Sequence, residues 1–493
     1  ALGMPSFDAV KSGFQPSDTL ILDRQGEVVQ RLRSDATVRR GQWVALGDVS
    51  PALRTALVLS EDRRFYEHSG VDWRAVSAAA WGNLWNTRTR GASTLTMQLA
   101  GLLDDPDAAG SLRAGPGGRS VAQKLGQAVV AQRLEAGWRK DQILEAYLNL
   151  VPFRGETVGV DALSRTVFGK AAHGLDEREA AVTAALVRAP NAAAARVAQR
   201  ACGVLQAMAP ATGTVPKGTP ARPPVPTTAA VGPAGDCAGL DLFVAAALQR
   251  RDYAASEGIA PHLARRLLAG AGTPPPRRIA TSLDASLQRF ALQALQRHLR
   301  ELRGRHVEDG AVLVLDNASG EVLAWVGSSG DLSGAAEVDG VLAPRQPGST
   351  LKPFLYAQAI AEQRLTAASL LVDAPTHIAT ASGLYIPQNY DRQFKGWVSV
   401  RTALGASLNV PAVRTLVMVS PEAFARQLRA VGLPLRETGD YYGYSLALGS
   451  AEVPLLALTN AYRTLANGGG VGGGGVRPAA NPGKAPPRAT AGP

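Results

Sequence analysis

Apolar residues change their spacing along the chain, and these changes divide it into segments. Residues 19–23 and 28–32 are short runs rich in β-branched and other apolar residues, which predict a β-hairpin. From residue 50 to residue 208 apolar residues recur every three or four positions, as on one face of an α-helix. We therefore expect an extended segment over residues 1–49 and a mainly helical domain over residues 50–208. Helical spacing is clearest over Trp73–Trp85, Ser93–Leu103, Ser120–Leu134, Asp141–Leu150 and Glu177–Val187.

The helical pattern is interrupted in the middle of the chain and lost at its end. Residues 209–238 are rich in Pro, Thr and Ala, a composition typical of a linker. Residues 239–304 regain helical spacing and predict a helical connector. The last segment, residues 467–493, contains nine Gly and five Pro with almost no apolar residues, which predicts a disordered tail.

Residues 305–466 combine two periodicities. The apolar pattern alternates every second residue in Ala311–Asp316 and in Glu321–Gly327, on either side of a turn. These two runs predict a β-hairpin. Helical spacing returns over Leu351–Glu362 and Val398–Leu408, so we expect a domain of mixed α/β structure.

The composition limits the kinds of binding partner and the cellular compartment that we expect. The chain has 52 Lys and Arg against 41 Asp and Glu, a net charge of +11, which favours anionic partners. Aromatic residues are only 5%, so we expect no nucleic-acid partner that needs base stacking. No apolar run reaches about 18 residues. The chain begins at Ala1 without an initiator Met, a basic n-region or a cleavage signal, so we expect a soluble protein or an anchor ahead of residue 1. Cys202 and Cys237 flank the Pro-rich segment, either as a disulfide or as two unpaired thiols.

Four motifs follow one another within the helical domain. They read E-D-R-R-F-Y-E-H-S-G at 61–70, G-A-S-T-L-T-M-Q at 91–98, K-D-Q-I-L-E-A-Y-L-N at 140–149, and R-G-E-T-V-G-V at 154–160 followed by F-G-K. In this order they resemble the motifs of the family 51 peptidoglycan glycosyltransferases. Met97, where most members have Gln, is similar to the type 1C penicillin-binding proteins. The resemblance implies a lysozyme-like helical fold and transfer of a sugar from a lipid pyrophosphate to a sugar 4-hydroxyl.

The resemblance also assigns roles to residues. It implies that Glu61 is the base that activates the acceptor hydroxyl, a task that a buried carboxylate can perform. The pyrophosphate leaves without protonation and needs positive charge nearby, and the resemblance offers Lys124, Lys140 and Arg154 as its contacts. The other expected substrate-binding residues are Asp62, Phe65, His68, Ser93, Thr94, Gln98 and Gln127. We expect no cofactor and no metal ligands, with a divalent ion at the pyrophosphate left open.

Two positions depart from the family pattern. Gln127 stands where the family has a second glutamate, and Gly101 stands where a basic residue usually follows the Q-Q-L-x segment. An amide cannot act as a base or bind a metal ion strongly. A mechanism with two carboxylates, like that of glycosidases, is therefore not expected, whereas a mechanism with one base is.

A second constellation lies in R-Q-P-G-S-T-L-K-P. Ser349 and Lys352 are one helical turn apart, so the amine can assist deprotonation of the hydroxyl. This S-x-x-K resembles the nucleophile helix of the penicillin-binding transpeptidases, and Ser407–Asn409 resembles their S-x-N. Their third element is K-T-G or K-S-G on a strand, and it is absent downstream of Asn409. Lys484 is not accepted in its place, since it lies in G-K-A within the tail. We expect an incomplete transpeptidase domain that β-lactams acylate slowly or not at all.

Together the motifs resemble those of a bifunctional class A penicillin-binding protein, type 1C. We expect a multidomain α plus α/β fold, with a lysozyme-like, mainly helical glycosyltransferase domain and a truncated transpeptidase domain of the penicillin-binding and serine β-lactamase type. The resemblance implies lipid II and nascent glycan strands as partners, and β-lactams as ligands of an intact parent. It also implies the inner-membrane surface and a periplasmic location, with the anchor before residue 1.

Two other functions are compatible with parts of the sequence. A lytic transglycosylase or lysozyme-like hydrolase also uses one glutamate in a helical fold, although the cationic residues and the S-x-x-K argue against it. A cell-wall scaffold without catalytic activity is suggested by Gln127, Gly101 and the missing K-T-G. An assay of lipid II polymerisation separates the three, because the products are long glycan, cleaved glycan or none.

Overall fold

The structure, a computed structural model, describes part of the chain. The described residues are 4–72, 74, 93–104, 121–209, 236–250 and 254–469, without the side chains of 121–126. Most of the predicted Trp73–Trp85 helix, most of the linker and most of the tail therefore lie outside the described residues. The chain forms two compact units. The first unit contains Ala1–Thr19 and Arg33–Ala255, and the second contains Leu20–Leu32 and Ser256–Pro493.

The first unit is mainly helical, as the sequence predicts. Its core surrounds a helix over Glu177–Arg188 whose residues from Glu179 to Val187 are all buried. Asp176 begins this helix, because its side chain accepts a hydrogen bond from Glu179 N and its own N–H donates to the Glu179 carboxylate. The helices are α1 (Phe7–Gly13), α2 (Pro51–Glu61), α3 (Leu95–Asp104), α4 (Val121–Gly137), α5 (Lys140–Leu150), α6 (Val160–Leu163), α7 (Glu177–Arg188), α8 (Ala194–Met208) and α9 (Leu240–Gln249).

The two cysteines, which the sequence left as a disulfide or as unpaired thiols, form a disulfide. Cys202, on α8, is bonded to Cys237, just before α9, with Cα atoms 5.4 Å apart. The bond joins residues separated by 35 positions in sequence. It therefore holds the start of α9 against α8, where Val204 and Val244 belong to the same core.

The second unit contains the predicted amino-terminal hairpin in a larger sheet. Strands β1 (Asp18–Leu22) and β2 (Val28–Arg33) are neighbours, which confirms the hairpin. Outside them lie two strands from the predicted helical connector, β5 (Ser256–Gly258) and β6 (Arg278–Ala280). Strand β6 pairs with β1 in parallel, and β5 pairs with β2 antiparallel. Residues 1–49 are therefore not a separate segment, and the connector is not wholly helical. The short strands β3 (Arg39–Arg40) and β4 (Thr157–Val158) pair in the first unit.

The remainder of the second unit has mixed α and β structure. The hairpin predicted after residue 310 is confirmed as β7 (Val312–Leu315) and β8 (Val322–Val326), which pair antiparallel. Four strands follow that the sequence pattern did not separate. They form two antiparallel pairs, β9 (Leu370–Asp373) with β12 (Gly396–Ser399) and β10 (Ile378–Thr380) with β11 (Gly383–Tyr385). The helices are α10 (Pro261–Ala269), α11 (Ala285–Glu301), α12 (Lys352–Ala361), α13 (Val400–Gly405), α14 (Asn409–Val419), α15 (Pro421–Ala430), α16 (Gly439–Tyr442) and α17 (Leu455–Ala466).

One helix begins later than its pattern predicts. The expected helix from Val398 starts at Val400, because Val398 lies in β12 and is paired with Leu371 of β9. The Ser399 side chain accepts a hydrogen bond from Thr402 N and begins the helix there. Within the described parts of the chain, no helix is both long enough and apolar enough to cross a membrane.

Candidate functional site

Helix α2 ends in a cleft of the first unit. Its Pro51 is suited to a first helical turn, and its buried residues Leu53, Ala56 and Leu57 anchor it in the core. Glu61 is the last residue of the helix and lines a cleft of about 650 Å³. The cleft also contains four other residues that the sequence selected: Asp62, Ser93, Thr94 and Gln98.

The Glu61 carboxylate is held by a short chain of hydrogen bonds. Ser60 Oγ donates to Glu61 Oε1 at 3.0 Å, and Gln98 Nε2 lies 3.4 Å from Glu61 Oε2. Gln98 Oε1 in turn accepts a bond from the Tyr147 hydroxyl at 2.7 Å. Burial raises the pKa of Tyr147 well above its usual value, so this hydroxyl stays protonated and donates. Gln98 is therefore oriented with its amide nitrogen towards Glu61.

Burial also raises the pKa of Glu61, although nearby groups act in the opposite direction. The hydrogen bonds from Ser60 and Gln98 lower the pKa, as do the positive charges of Arg188 and Arg200. Desolvation is the largest of these effects. A carboxyl group with a raised pKa is a stronger base when ionised, which is the property that removal of a hydroxyl proton requires.

Asp62, His68 and Thr94 shape the cleft through contacts within the protein. His68 Nε2 donates to both Asp62 oxygens at 3.0 Å, and Leu95 N donates to Asp62 Oδ2 at 3.1 Å. Thr94 Oγ1 accepts a bond from Met97 N. Asp62 and Thr94 thus accept hydrogen bonds from backbone N–H groups in the first turn of α3, the helix that carries Gln98.

Five predicted substrate contacts are not among the described residues that line this cleft: Phe65, His68, Gln127, Lys140 and Arg154. Phe65 is fully buried in the core. Lys140 Nζ lies 4.5 Å from the centre of the Phe65 ring and forms an ion pair with Glu135 at 2.7 Å. The Arg154 guanidinium donates to Ala192 O at 3.0 Å. Their contacts with a substrate stay predictions, and the side chain of Lys124 lies outside the described residues.

The two departures from the family pattern are neighbours in space. A Cβ atom on Gly101 would lie 2.9 Å from Gln127 Nε2, which is closer than an unstrained contact allows. The missing side chain at Gly101 therefore makes room for the Gln127 amide. Gln127 is not among the residues that line the cleft in the described part of the chain.

Four arginines line the cleft, and two of them, Arg188 and Arg200, lie outside the motifs found in the sequence. Arg188 is the last residue of α7, and Arg200 lies on α8; both line the cleft with Glu61. Arg200 Nη1 is buried, and among the described residues it has no hydrogen-bond partner. No motif contains either residue, and only the position of Arg188 at the end of a predicted helix was visible in the pattern.

The S-x-x-K residues lie in the second unit, at the start of α12. Ser349 is exposed on a 3₁₀ turn over Gly348–Leu351, and Lys352 begins the helix. Lys352 Nζ donates to Ser407 O at 2.7 Å, to Ser407 Oγ at 3.1 Å and to Asn409 Oδ1 at 2.7 Å. The structure thus brings the S-x-x-K lysine and the S-x-N motif together. Burial lowers the pKa of Lys352 to about 8, which makes the neutral amine accessible near neutral pH.

The backbone around this site has unusual conformations. Ser407 has a φ of 52°, a left-handed value that is uncommon outside glycine. Gly449 packs against the turn before Ser349, and a Cβ at Gly449 would lie 2.1 Å from Gly348 O. Only glycine fits there.

Among the described residues, no group of three or more His, Cys, Asp or Glu side chains could hold a metal ion.

Two known families match the chain. The transglycosylase family matches residues 25–209, which include Glu61, Arg188 and Arg200. The penicillin-binding protein transpeptidase domain matches residues 310–471, which include Ser349 and Lys352.

The chain is also similar to individual penicillin-binding proteins. Penicillin-binding protein 1C from Escherichia coli (strain K12) is 35% identical over 88% of this chain and 52% of its own length. Penicillin-binding protein 1B from Vibrio cholerae is 31% identical over 84% of this chain and 52% of its own length. The chain spans about half the length of these curated relatives. The crystal structure of penicillin-binding protein 1A from Haemophilus influenzae has a TM-score of 0.50 and 17% identity, covering 94% of this chain and 70% of that chain, which shows a shared fold.

Proposed function

Because the chain belongs to the class A penicillin-binding proteins, which join a transglycosylase domain to a transpeptidase domain, we propose that its first unit polymerises lipid II into glycan strands. The observation that carries this proposal is Glu61, a partly desolvated carboxylate at the end of α2 in a cleft that also contains Arg188 and Arg200.

The residues suggest the following reaction. Glu61 takes the proton of the acceptor 4-hydroxyl, whose oxygen attacks the anomeric carbon of the donor sugar. The bond from that carbon to the lipid pyrophosphate breaks, and the pyrophosphate leaves with its electron pair. Arg188 and Arg200 offset the negative charge that develops on it, so no acid is needed. Gln98 holds the Glu61 carboxylate in position.

The arginines favour transfer over hydrolysis. Cleavage of a glycosidic bond expels a sugar alkoxide, which must be protonated by an acid in the transition state. Cations in the cleft instead suit a leaving group that is already anionic.

The test is polymerisation of fluorescent lipid II, followed by gel separation of the glycan products. Glu61→Gln should lower the rate at least about 100-fold, because it removes the base. Gln127→Ala is the matched comparison, and it should lower the rate far less, by under about tenfold, since a pyrophosphate needs no acid. Circular dichroism checks that both variants are folded.

The products separate the alternatives. Long glycan strands from the unmodified chain support polymerisation, cleavage of added glycan indicates a hydrolase, and the absence of both indicates a scaffold. A Glu61→Gln variant that kept a tenth of the activity would show that Glu61 is not the base. An equal loss in Gln127→Ala would give Gln127 a direct role in the transition state.

We further propose that the second unit binds peptide stems and β-lactams at Ser349, with Lys352 as the proton acceptor. The contacts between Lys352 and the S-x-N motif support this role. Since lipid II is a membrane lipid, we propose that the protein acts at the periplasmic surface of the inner membrane, with nascent glycan strands as its other partner. Fractionation of cells that express the protein tests this location.

A further inference from the structure

A buried carboxylate lies behind the Lys352 site, on residues that none of the motifs includes. Asp373, the last residue of β9, is fully buried. Its oxygens accept hydrogen bonds from Asn389 Nδ2 at 2.8 and 2.9 Å and from Lys395 N at 2.8 Å. Burial of a carboxylate is costly unless such bonds replace its water, so Asp373 depends on these hydrogen bonds to remain in the core.

Asp373 determines which way the Asn389 amide points. A carboxylate only accepts hydrogen bonds, so it requires the Asn389 nitrogen on its side. The same nitrogen donates to Gln393 O at 2.8 Å. The Asn389 oxygen is thereby directed to the opposite side, where it accepts from Asn409 N at 2.8 Å and from Val410 N at 3.3 Å.

Those two N–H groups belong to the first turn of α14, where the helix itself supplies no acceptor. The neighbouring residue also contributes, since Gln388 O accepts from Asn409 Nδ2 at 2.9 Å. Residues 388 and 389 thus hold both the backbone and the side chain of Asn409. The remaining side-chain atom of Asn409, Oδ1, accepts from Lys352 Nζ.

We propose that Asp373 and Asn389 are positioning residues that act through Asn409 to hold the Lys352 ammonium in place. The inference rests on the proposed role of Lys352 as the partner of Ser349. The left-handed Ser407, two residues before Asn409, explains why such support is needed. A non-glycine residue keeps a strained backbone conformation only where the surrounding structure imposes it.

The experiment follows the ammonium group itself. The chain is labelled with ¹⁵N-lysine, and the exchange of the Lys352 Nζ protons with water is measured by NMR at about pH 6, below the Lys352 pKa of about 8. Lys352→Arg identifies the signal. Asn389→Ala should increase the exchange rate about tenfold or more, as loss of support for a hydrogen bond to a charged group implies.

Thr415→Val is the matched control. Thr415 is buried on the same helix, and its hydroxyl donates to Pro411 O at 2.9 Å, so the variant loses a comparable bond away from Lys352. Its Lys352 exchange rate should stay within about twofold of the unmodified chain. Asp373→Asn keeps the side-chain volume and serves if Asn389→Ala does not fold, with an expected increase of about threefold.

The double variant Asp373→Asn plus Asn389→Asp tests the coupling. It exchanges the carboxylate and the amide, so residue 389 still offers an acceptor to the N–H groups of α14. The Lys352 exchange rate should therefore increase less than in Asn389→Ala.

Three results would overturn the proposal. The first is an unchanged Lys352 exchange rate in folded Asn389→Ala or Asp373→Asn. The second is an equal increase in Thr415→Val, which would indicate general destabilisation. The third is a Lys352 signal that exchanges as fast as the exposed lysines in the unmodified chain. Acylation of Ser349 is measured separately, so failure of the proposed nucleophile and failure of this inference are distinguishable.

Discussion

At the scale of single residues, Glu61 combines opposing influences. Burial raises its pKa, whereas two hydrogen bonds and two arginines lower it, and burial has the larger effect. The neighbouring groups thus partly offset the cost of desolvating the Glu61 carboxylate in the cleft. This balance makes its ionisation sensitive to any neighbour that is removed.

The pH dependence of polymerisation should reflect the raised pKa of Glu61. The base is active only when ionised, so kcat/KM should fall as the pH drops through the Glu61 pKa. Because that pKa is raised from its ordinary value of 4.5, the fall should begin at a higher pH than for an exposed glutamate. The measurement is the initial rate of lipid II polymerisation against pH. A rate that stays constant down to the range of an ordinary carboxyl group would contradict the assignment.

Arg200→Ala should affect both rate and pH profile. Loss of the cation should lower kcat about 10- to 100-fold, since charge on the leaving pyrophosphate is less well stabilised. The acid side of the pH profile should also shift to higher pH, because Arg200 lowers the Glu61 pKa.

Arg196→Ala is the matched control for this prediction. Arg196 lies on the same helix, is exposed and is not among the residues that line the cleft in the described structure. Equal losses in the two variants would mean that the helix tolerates neither substitution and that Arg200 has no special role.

At the scale of elements, the disulfide determines how α9 is attached. The Cys202–Cys237 bond connects α8 to the segment before α9. The contacts of α9 with α8 and with Phe168 are apolar, and Phe243 stacks on Phe168 with ring centres 6.2 Å apart. Such contacts form at little entropic cost only if the chain ends are already close.

Replacing both cysteines by alanine should destabilise the first unit. Closure of a loop of this length is worth roughly 3–4 kcal/mol in the chain-entropy model, an upper value for the loss. The measurement is guanidinium-induced unfolding of the chain with and without a reductant. Reductant should lower the midpoint of the unmodified chain and leave that of the double variant unchanged. Equal midpoints for the oxidised and reduced chain would show that the bond does not contribute.

At the scale of the whole molecule, each compact unit contains one candidate site. Glu61 belongs to the first unit and Ser349 to the second. The chemistry of one site uses none of the residues of the other, so Ser349→Ala should be a neutral control in polymerisation assays.

The 493-residue chain should be acylated slowly or not at all by a fluorescent penicillin. All three Nζ hydrogen bonds of Lys352 go to Ser407 and Asn409, and none in the described structure reaches the exposed Ser349. After the S-x-N motif the sequence contains no K-T-G or K-S-G to form the other wall of the groove. The one K-S-G, at residues 11–13, lies in helix α1 of the first unit. Misplacement by about 1 Å can cost roughly 100-fold in rate.

Incubation with the penicillin, followed by denaturing gel electrophoresis, measures this acylation. Stoichiometric labelling that disappears in Ser349→Ala would refute the prediction, and would mean that the groove forms without the third motif.

Much of the local structure follows from the sequence alone. The hairpins of β1 with β2 and of β7 with β8, and many of the helices, were predictable because their apolar periodicity and turn residues act over a few positions. The catalytic candidates Glu61, Ser349 and Lys352 were found for a related reason, since each lies in a short motif whose spacing reflects one helix end or one helical turn.

Only the tertiary structure decided which distant groups meet. The pairing of β1 with β6 joins residues about 260 positions apart, and nothing in either strand specifies the other. Arg188, Arg200 and Asn389 carry no motif, and their importance depends on which side chains they face. Lys140, whose contact with a substrate stays a prediction, lies beside Glu135 and Phe65, which the sequence did not indicate. The physical reason is common to all of them: burial, ion pairing and the shift of a pKa are properties of an environment assembled from remote parts of the chain.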